Sequence, residues 1–403
     1  MNTAPLNTEK KVGWRTVVTG TLPLLVLAHF AHHLLTALPA PMLPMIRSEF
    51  ALDYTQAGMV VSAFSLAYGI GQLPAGWITD RIGARVVIML GICGVAAAGV
   101  LVGLSPTFLV LLVFMAIMGL AGGNYHPAAP PVISGVVSPE KLGRALGLHA
   151  IGGSASYFIA PLVAAAIAAA FGWRGAFIGL AIPAMLLGII LYIALAKIST
   201  NKGTTVELPQ AERTARPLHL QRIIFFIILS TFAQAVMASV LTFVPLFAIE
   251  RFGISKEAAA IFLSVSYSSG LWAAPLGGYL SDRVGSVPTV LAVSFLAAPA
   301  VYLLNIAPDV ISFGVLMIGV GMISYIRMPA SEAFMVNETT TRNRASILGI
   351  YYFGNSEASA LLTPVVGYLI DHFGFYITFS IGGVAVLVVT LICSIWLVGK
   401  RNK

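Results

Sequence analysis

Histidines stand at positions 29, 32 and 33 of an otherwise apolar run. Their i, i+3, i+4 spacing places them on one stripe of a helix. His126 follows Asn124 and Tyr125 in a second apolar run, and His149 lies early in a third. Arg327 and Glu332 share another run, and Glu357 lies close to Asn355 in the next. Ionisable side chains are costly in hydrocarbon, so those kept at such positions are the first candidates for function. Imidazoles with an ordinary pKa near 6.5 can take up and release protons across the physiological range. His29 and His33, with His126 from a neighbouring helix, would also make three ligands of a metal site. No Asp or Cys lies close in sequence to complete that set, and no bound metal is expected. His32 and His149 read as neutral rings satisfied by nearby carbonyls or hydroxyls. Arg327 with Glu332 and Glu357 reads either as a structural ion pair or as a direct contact to substrate. Arg327 and Glu332, five residues apart, point about 140° from each other on an ideal helix, so Glu357 is at least as good a partner.

The elements that must position these groups are membrane helices. Apolar residues make up 58% of the 403, charged residues only 9%, and mean hydropathy is +0.92, against about a quarter charged in a soluble domain. Uncharged runs near the ~20 residues that cross the hydrocarbon recur along the chain. Twelve are predicted, at about 15–38, 55–79, 86–104, 108–136, 142–170, 175–196, 222–248, 258–280, 287–306, 310–336, 345–370 and 376–398. They are too long and too uniformly apolar for barrel strands. No short apolar core followed by a small-residue cleavage site appears at the start, so the first run is read as a retained helix. Cys93 and Cys393 lie mid-run with no disulfide or metal spacing and read as small apolar fillers.

The chain repeats itself at a shift of 202. Gly76-Trp-Ile-Thr-Asp80-Arg81-Ile-Gly83 matches Gly278-Tyr-Leu-Ser-Asp282-Arg283-Val-Gly285, and Phe50, Gly119, Pro127, Gly147, Gly152 and Gly172 fall on Phe252, Gly321, Pro329, Gly349, Gly354 and Gly374. Duplicated halves with a substrate site between them are how many secondary transporters are built. The expected organisation is a six-helix bundle over 1–196, a polar linker over 197–221 and a second six-helix bundle over 222–403. With the N-terminus inside, eighteen Lys and Arg fall on cytoplasmic ends and loops, and only Arg47, Arg174, Arg251 and Lys256 fall outside. That bias predicts an inner-membrane protein with both termini cytoplasmic. It also accounts for the net charge of +8 without a nucleic-acid partner.

The Gly-x-x-x-Asp-Arg-x-Gly pattern of Gly76, Asp80, Arg81 and Gly83, closed by Arg85, resembles the signature loop of the major facilitator superfamily. Gly278, Asp282, Arg283 and Gly285 form the partial copy which that superfamily carries between its eighth and ninth helices. Gly76 and Gly278 are read as sites of close helix approach and Gly83 and Gly285 as tight turns. Asp80 and Asp282 sit where a carboxylate can cap a helix N-terminus in one conformation and release it in another. These residues are the expected gating elements. Within the superfamily the chain is similar to the fosmidomycin-resistance exporters, whose first helix carries His-x-x-Asn-Asp, whose fourth carries His-Pro and whose fifth carries Gly-Gly with a later Gly-Pro. The counterparts here are His29-Phe-Ala-His32-His33, His126-Pro127 and Gly152-Gly153 with Ala160-Pro161. His32 and His33 replace the family's Asn and Asp, Ala128 stands where a Glu can follow His-Pro, and Ala160 replaces the Gly of the antiporter motif.

The resemblance implies that the first, fourth, seventh and tenth helices line a central cavity, which places His29, His33, His126 and Arg327 there. Asn124, Tyr125, Glu332 and Glu357 complete the candidate substrate contacts, and His33, His126 and Glu357 are the candidate proton carriers. Tyr68, Gln72, Tyr157, Gln234, Tyr267, Trp272, Tyr325, Tyr351 and Tyr352 lie at similar depth and suit a partly apolar organic compound. No phosphate-binding Gly-x-x-x-x-Gly-Lys-Ser/Thr occurs, so neither an enzyme nor an ATP-driven pump is expected. The expectation is a monomeric, cofactor-free secondary transporter of a small anionic or amphipathic compound, exporting it against protons. The alternatives are proton-coupled uptake of an organic anion and, behind it, divalent metal transport. A transport-inactive sensor would need soluble extensions longer than the flanks of the outermost runs.

Overall fold

A computed structural model describes residues 20–136, 142–196, 220–338 and 344–398. They form thirteen α-helices and one 3-10 turn, with no strand among the described residues. The first half holds α1 (Thr21–Thr36), α2 (Pro39–Glu49), α3 (Tyr54–Ile82), α4 (Ala84–Gly103), α5 (Phe108–Gly122), α6 (Tyr125–Val136) and α7 (Leu142–Ala196). The second holds α8 (Leu220–Phe252), α9 (Lys256–Ser268), the 3-10 turn Ser269–Leu271, α10 (Ala273–Val284), α11 (Ser286–Ile306), α12 (Val310–Glu338) and α13 (Arg344–Val398).

Among the described residues eight stretches are long and apolar enough to cross a bilayer, and α9 with α10, bent by 42°, makes a ninth if the pair is one span. Large apolar side chains stand in the open, among them Ile311 (81% exposed), Phe171 (76%) and Leu109 (70%). Water would penalise that surface and lipid tails do not. Three sequence boundaries shift. The first run, predicted to end at 38, continues past a break at Ala37 and Leu38 through α2, because Pro39 can start a helix whose first turn needs no amide donor. The fourth run is broken at Gly123 and Asn124 into α5 and α6. Of the predicted linker, 197–219 lies outside the described residues and α8 begins at Leu220.

The internal repeat reaches into the backbone. Positive φ occurs at Gly83 (87°) and Gly285 (103°), at Gly172 (69°) and Gly374 (74°), and at Ala51 (51°) and Gly253 (64°), three pairs related by the same shift of 202. Gly172 and Gly374 break the 55-residue helices α7 and α13 into two helical arms each. N-caps obey the same shift. Asp53 accepts from Gln56 N at 2.6 Å, and Ser255 accepts from Ala258 N at 3.1 Å. Thr107 caps α5 through Val110 N, and Asp309 accepts from Ser312 N at 2.8 Å. Each cap satisfies one of the amides that a helix start leaves without a partner.

Contacts between the halves are concentrated toward one end. There α3 lies along the first arm of α13, and α9 lies against the first arm of α7. Asp371 accepts hydrogen bonds from Tyr54 N and Thr55 N, both at 2.8 Å, and from the Thr55 hydroxyl at 2.7 Å. The Tyr54 hydroxyl donates to Glu250 at 2.7 Å. Further along the same contact Gly58 meets the backbone of Pro364, the Ser62 hydroxyl donates to the Ala360 carbonyl, and Gly69 abuts Glu357. The main apolar core is continuous across this end and includes residues of both halves, such as Phe64, Phe177, Phe243, Phe313 and Phe379. Toward the chain termini each half keeps a core of its own. One is built around Leu25, Ile92, Tyr125 and Leu195, the other around Phe226, Val290, Phe334 and Leu397.

Candidate functional site

All five histidines singled out in the sequence converge. His29 and His33, one turn apart on α1, bring their Nε2 atoms to 3.2 Å, with ring centroids 4.9 Å apart. His126, near the start of α6, stands edge-on to His29 at 5.3 Å and tilted against His33 at 5.4 Å. Each of His29, His33 and His126 offers one nitrogen, and the three nitrogens lie within 4.8 Å of one another. The His29 Nδ1–H donates to the His149 carbonyl at 2.9 Å, which leaves the lone pair on Nε2. His33 Nδ1 pairs with the Thr36 hydroxyl at 2.7 Å. Tyr125 is fully buried, stacks on His32 at 4.5 Å and donates its hydroxyl to the Leu25 carbonyl at 3.3 Å, so it braces the back of the cluster.

His32 and His149, read as rings satisfied by nearby hydroxyls or carbonyls, have such partners in the Tyr68 hydroxyl and the Leu25 carbonyl and also join the cluster. His149 stacks on His29 at 4.3 Å, and His32 meets the Tyr68 hydroxyl at 3.3 Å while its ring lies 4.7 Å from His33. The approach is possible because α7 presents Gly152 and Gly153 to α1. A Cβ on Gly152 would overlap the Val26 carbonyl, and one on Gly153 would lie 2.7 Å from Cε1 of His29. His149, Gly152 and Gly153 are at i, i+3 and i+4, a spacing that already put the imidazole and the two gaps on one face of the helix. Asn124, at the break before α6, donates to the Leu120 and Ala121 carbonyls of its own chain turn.

On the other side Arg327 is 5% exposed and belongs to α12. Its guanidinium donates to the Ser230 carbonyl at 3.1 Å, to the Ser230 hydroxyl at 2.9 Å and to Gln234 Oε1. The Tyr351 hydroxyl lies 3.1 Å from Ser230 Oγ, which also meets Ser331 Oγ at 3.1 Å. Among the described residues the ion pairs are Arg174 with Glu49 and Arg222 with Glu338. The expected pairing of Arg327 with Glu332 or Glu357 is therefore absent. Glu332 instead accepts from the Tyr352 hydroxyl, and Glu357 sits on α13 beside Gly69 of α3 with its buried Oε1 unpartnered. Oxygens and amides hold the guanidinium in place without cancelling its charge.

Tyrosines join the two sides. Tyr157 packs on His33 at 4.8 Å and edge-on to Tyr267 across the halves at 5.1 Å, and Tyr325, two residues before Arg327, packs beside Gly270. The signature loops are less engaged. Gly83 and Gly285 make the predicted positive-φ turns. Gly278 faces open space, and the close approach expected of it is made by Gly277, against the Ile326 backbone. Asp282 is exposed and no side chain caps α11. Arg81 lies over Trp77 at 3.6 Å, Arg85 over Tyr192 at 4.0 Å and Arg283 over Tyr279 at 5.3 Å. Gly76 belongs to α3, and the side chain of Asp80 lies outside the described residues.

The profile of the Major Facilitator Superfamily matches residues 25–356 and 252–403. The fosmidomycin resistance protein of Escherichia coli K12 is 24% identical over 392 residues, 95% of this chain and 94% of that protein. A probable sulfoacetate transporter, SauU, of Cupriavidus necator is 26% identical over 408 residues, 93% and 92% of the two chains. A bacterial homologue of the human lysosomal transporter Spinster, solved in an inward-facing, occupied conformation, superposes with a TM-score of 0.77 at 17% identity, covering 96% of this chain and 97% of that one.

Proposed function

Since the chain belongs to the Major Facilitator Superfamily and is a multi-pass membrane transporter rather than an enzyme, we propose that it moves a small organic anion by secondary active transport through a site between the histidine cluster and Arg327. The observation that carries this reading is the buried guanidinium without a carboxylate partner among the described residues. A buried charge left uncompensated is expensive, and an anionic ligand would supply the missing partner in a bidentate geometry that arginine favours. The tyrosine seam offers an apolar wall with hydroxyl donors, which suits a small carboxylate or sulfonate with an organic body. The name of the SauU relative is consistent with that class.

We read the helices as twelve crossings. Each 55-residue helix crosses twice about its positive-φ glycine, the bent α9–α10 pair crosses once, and α3 adds one more to the single-pass stretches. Two six-helix bundles, 1–196 and 222–403, then join through the 197–221 linker in the inner membrane, with both termini cytoplasmic by the distribution of Lys and Arg. In that orientation the end where the halves meet is the outer one, so the conformation is inward-facing. Proton-coupled export by a monomer, with His33, His126 and Glu357 as proton carriers, is our reading of the coupling. Ala160 in the antiporter motif favours uptake by symport as the second reading.

Proteoliposomes loaded with a pH-sensitive dye and offered small carboxylates, sulfonates and phosphonates test all three points. One anion class should move protons, the sign of the pH change gives the direction, and His33→Ala and His126→Ala should abolish the proton signal. Arg327→Ala should abolish anion transport while the protein remains monodisperse and folded. Unchanged transport in that variant would assign Arg327 a purely structural role.

A further inference from the structure

We propose that His29, His33 and His126 form a binding site for a divalent transition metal of the Zn2+ class. Zinc binds imidazole nitrogen at 2.0–2.1 Å, so two nitrogens on a tetrahedral ion stand about 3.3 Å apart. The Nε2 atoms of His29 and His33 are 3.2 Å apart, and the nitrogen of His126 falls within the same 4.8 Å circle. Only a small shift of the His126 ring completes a three-nitrogen face. Three protein ligands with a fourth position left to water or an anionic oxygen is the pattern of an open site, so the lack of a nearby Asp or Cys does not count against it.

The surroundings of the ligands carry the argument further. A metal-binding imidazole characteristically donates its second nitrogen's hydrogen to a carbonyl or another oxygen, which fixes the ring and turns the free lone pair toward the ion. His29 does this through the His149 carbonyl at 2.9 Å. His33 has the Thr36 hydroxyl at 2.7 Å from Nδ1. Without an ion, His33 can carry its hydrogen on Nε2 and donate it to His29, with Thr36 donating to Nδ1. With an ion, that hydrogen moves to Nδ1, the Thr36 hydroxyl rotates to accept it, and both Nε2 lone pairs face the metal. The switch is neutral and needs no ring flip: the His33–His29 bond gives way to the ion, and the Thr36 hydrogen turns to the Tyr157 hydroxyl oxygen beside it. His149 stacks on His29 and His32 stands edge-on to His33, while Gly153 leaves His29 the room it occupies. Nitrogen-only donors favour zinc, nickel or copper over magnesium or calcium, which require oxygen.

This inference is independent of the anion reading, because it is tested by binding and not by transport. Purified full-length protein would be dialysed to equilibrium against ZnCl2, and separately against CoCl2 with visible spectra recorded. One equivalent of zinc should bind saturably, and Co2+ should show the intense d–d bands of a four-coordinate nitrogen site. His126→Ala and His33→Ala should each weaken binding at least tenfold. Thr36→Val keeps all three ligands and the shape of the side chain, and should weaken binding about 10- to 100-fold through the loss of the oxygen on His33 Nδ1. The exposed His372 provides the control, and His372→Ala should bind zinc as the parent does. Absence of saturable binding, octahedral cobalt spectra, or undiminished affinity in the Thr36 and His126 variants would each overturn the site.

Discussion

Arg327 and the histidines present opposite solutions to holding polar groups inside a membrane. The guanidinium keeps its full charge and, among the described residues, takes neutral partners, Ser230, Gln234 and Tyr351. His29 and His33 bond to each other, with Thr36, Tyr68 and the His149 carbonyl taking further ring nitrogens, while Nδ1 of His32 and of His149 stays unpartnered among the described residues. A lysine at 327 would retain charge but lose the planar fork, so Arg327→Lys should keep the protein folded and raise the apparent KM for the anion by tenfold or more. Room is as decisive as charge here. Gly153→Ala would press a methyl onto His29, and overpacking of this kind costs about 1–3 kcal/mol. Its thermal midpoint in detergent should fall, whereas Gly147→Ala, on the same helix with nothing within 4 Å of the added carbon, should be neutral or slightly stabilising. Equal midpoints for the two variants would remove the packing role assigned to Gly153. None of this room was visible from residue types alone. His149 and the Gly152-Gly153 pair shared one helical face in the sequence, but only the approach of α1 to α7 showed that the gaps receive an imidazole.

At the scale of elements, the latch at the end where the halves meet joins the start of α3 to the first arm of α13. Asp371 takes two backbone amides and a hydroxyl from the first turn of α3, which doubles as an N-terminal cap supplied by the opposite half. The group is exposed, so each bond contributes about 0.5–1.5 kcal/mol at most. Asp371→Ala should therefore shift the two-state balance of the halves severalfold toward opening at this end. Spin labels at Leu104 and Ile306, repeat-related and exposed at the same end, would report it as a growing long-distance population in pulsed dipolar spectra. An unchanged distance distribution would mean that apolar packing alone holds the end shut. The caps by Asp53, Thr107, Ser255 and Asp309 are local chemistry, each reaching an amide three residues on. The cross-half cap by Asp371 is set by tertiary structure, because its partners are more than 300 residues away in sequence.

For the whole molecule, the proposed transport cycle requires the latch to open and close. A cysteine pair at Thr55 and Asp371, whose native side chains already bond at 2.7 Å, should oxidise to a disulfide, stop transport, and restore it on reduction. Cys93 and Cys393 lie within helices elsewhere and do not compete. Full transport in the oxidised protein would contradict alternating access about this contact. The amino-acid sequence by itself determined the helical class, the near-complete set of apolar runs, the two-fold repeat and the family, because each depends on composition, period or register, which are local or additive along the chain. It also named the residues worth watching, since charge in an apolar run stands out without any coordinates. Tertiary structure alone decided the partners. It withheld both glutamates from Arg327, gathered five histidines where three were expected, moved the close helix approach from Gly278 to Gly277, and concentrated the contacts between the described parts of the halves toward one end. Those outcomes depend on helix rotation and approach to within an ångström, and nothing in the hydrophobic period of a single helix specifies either.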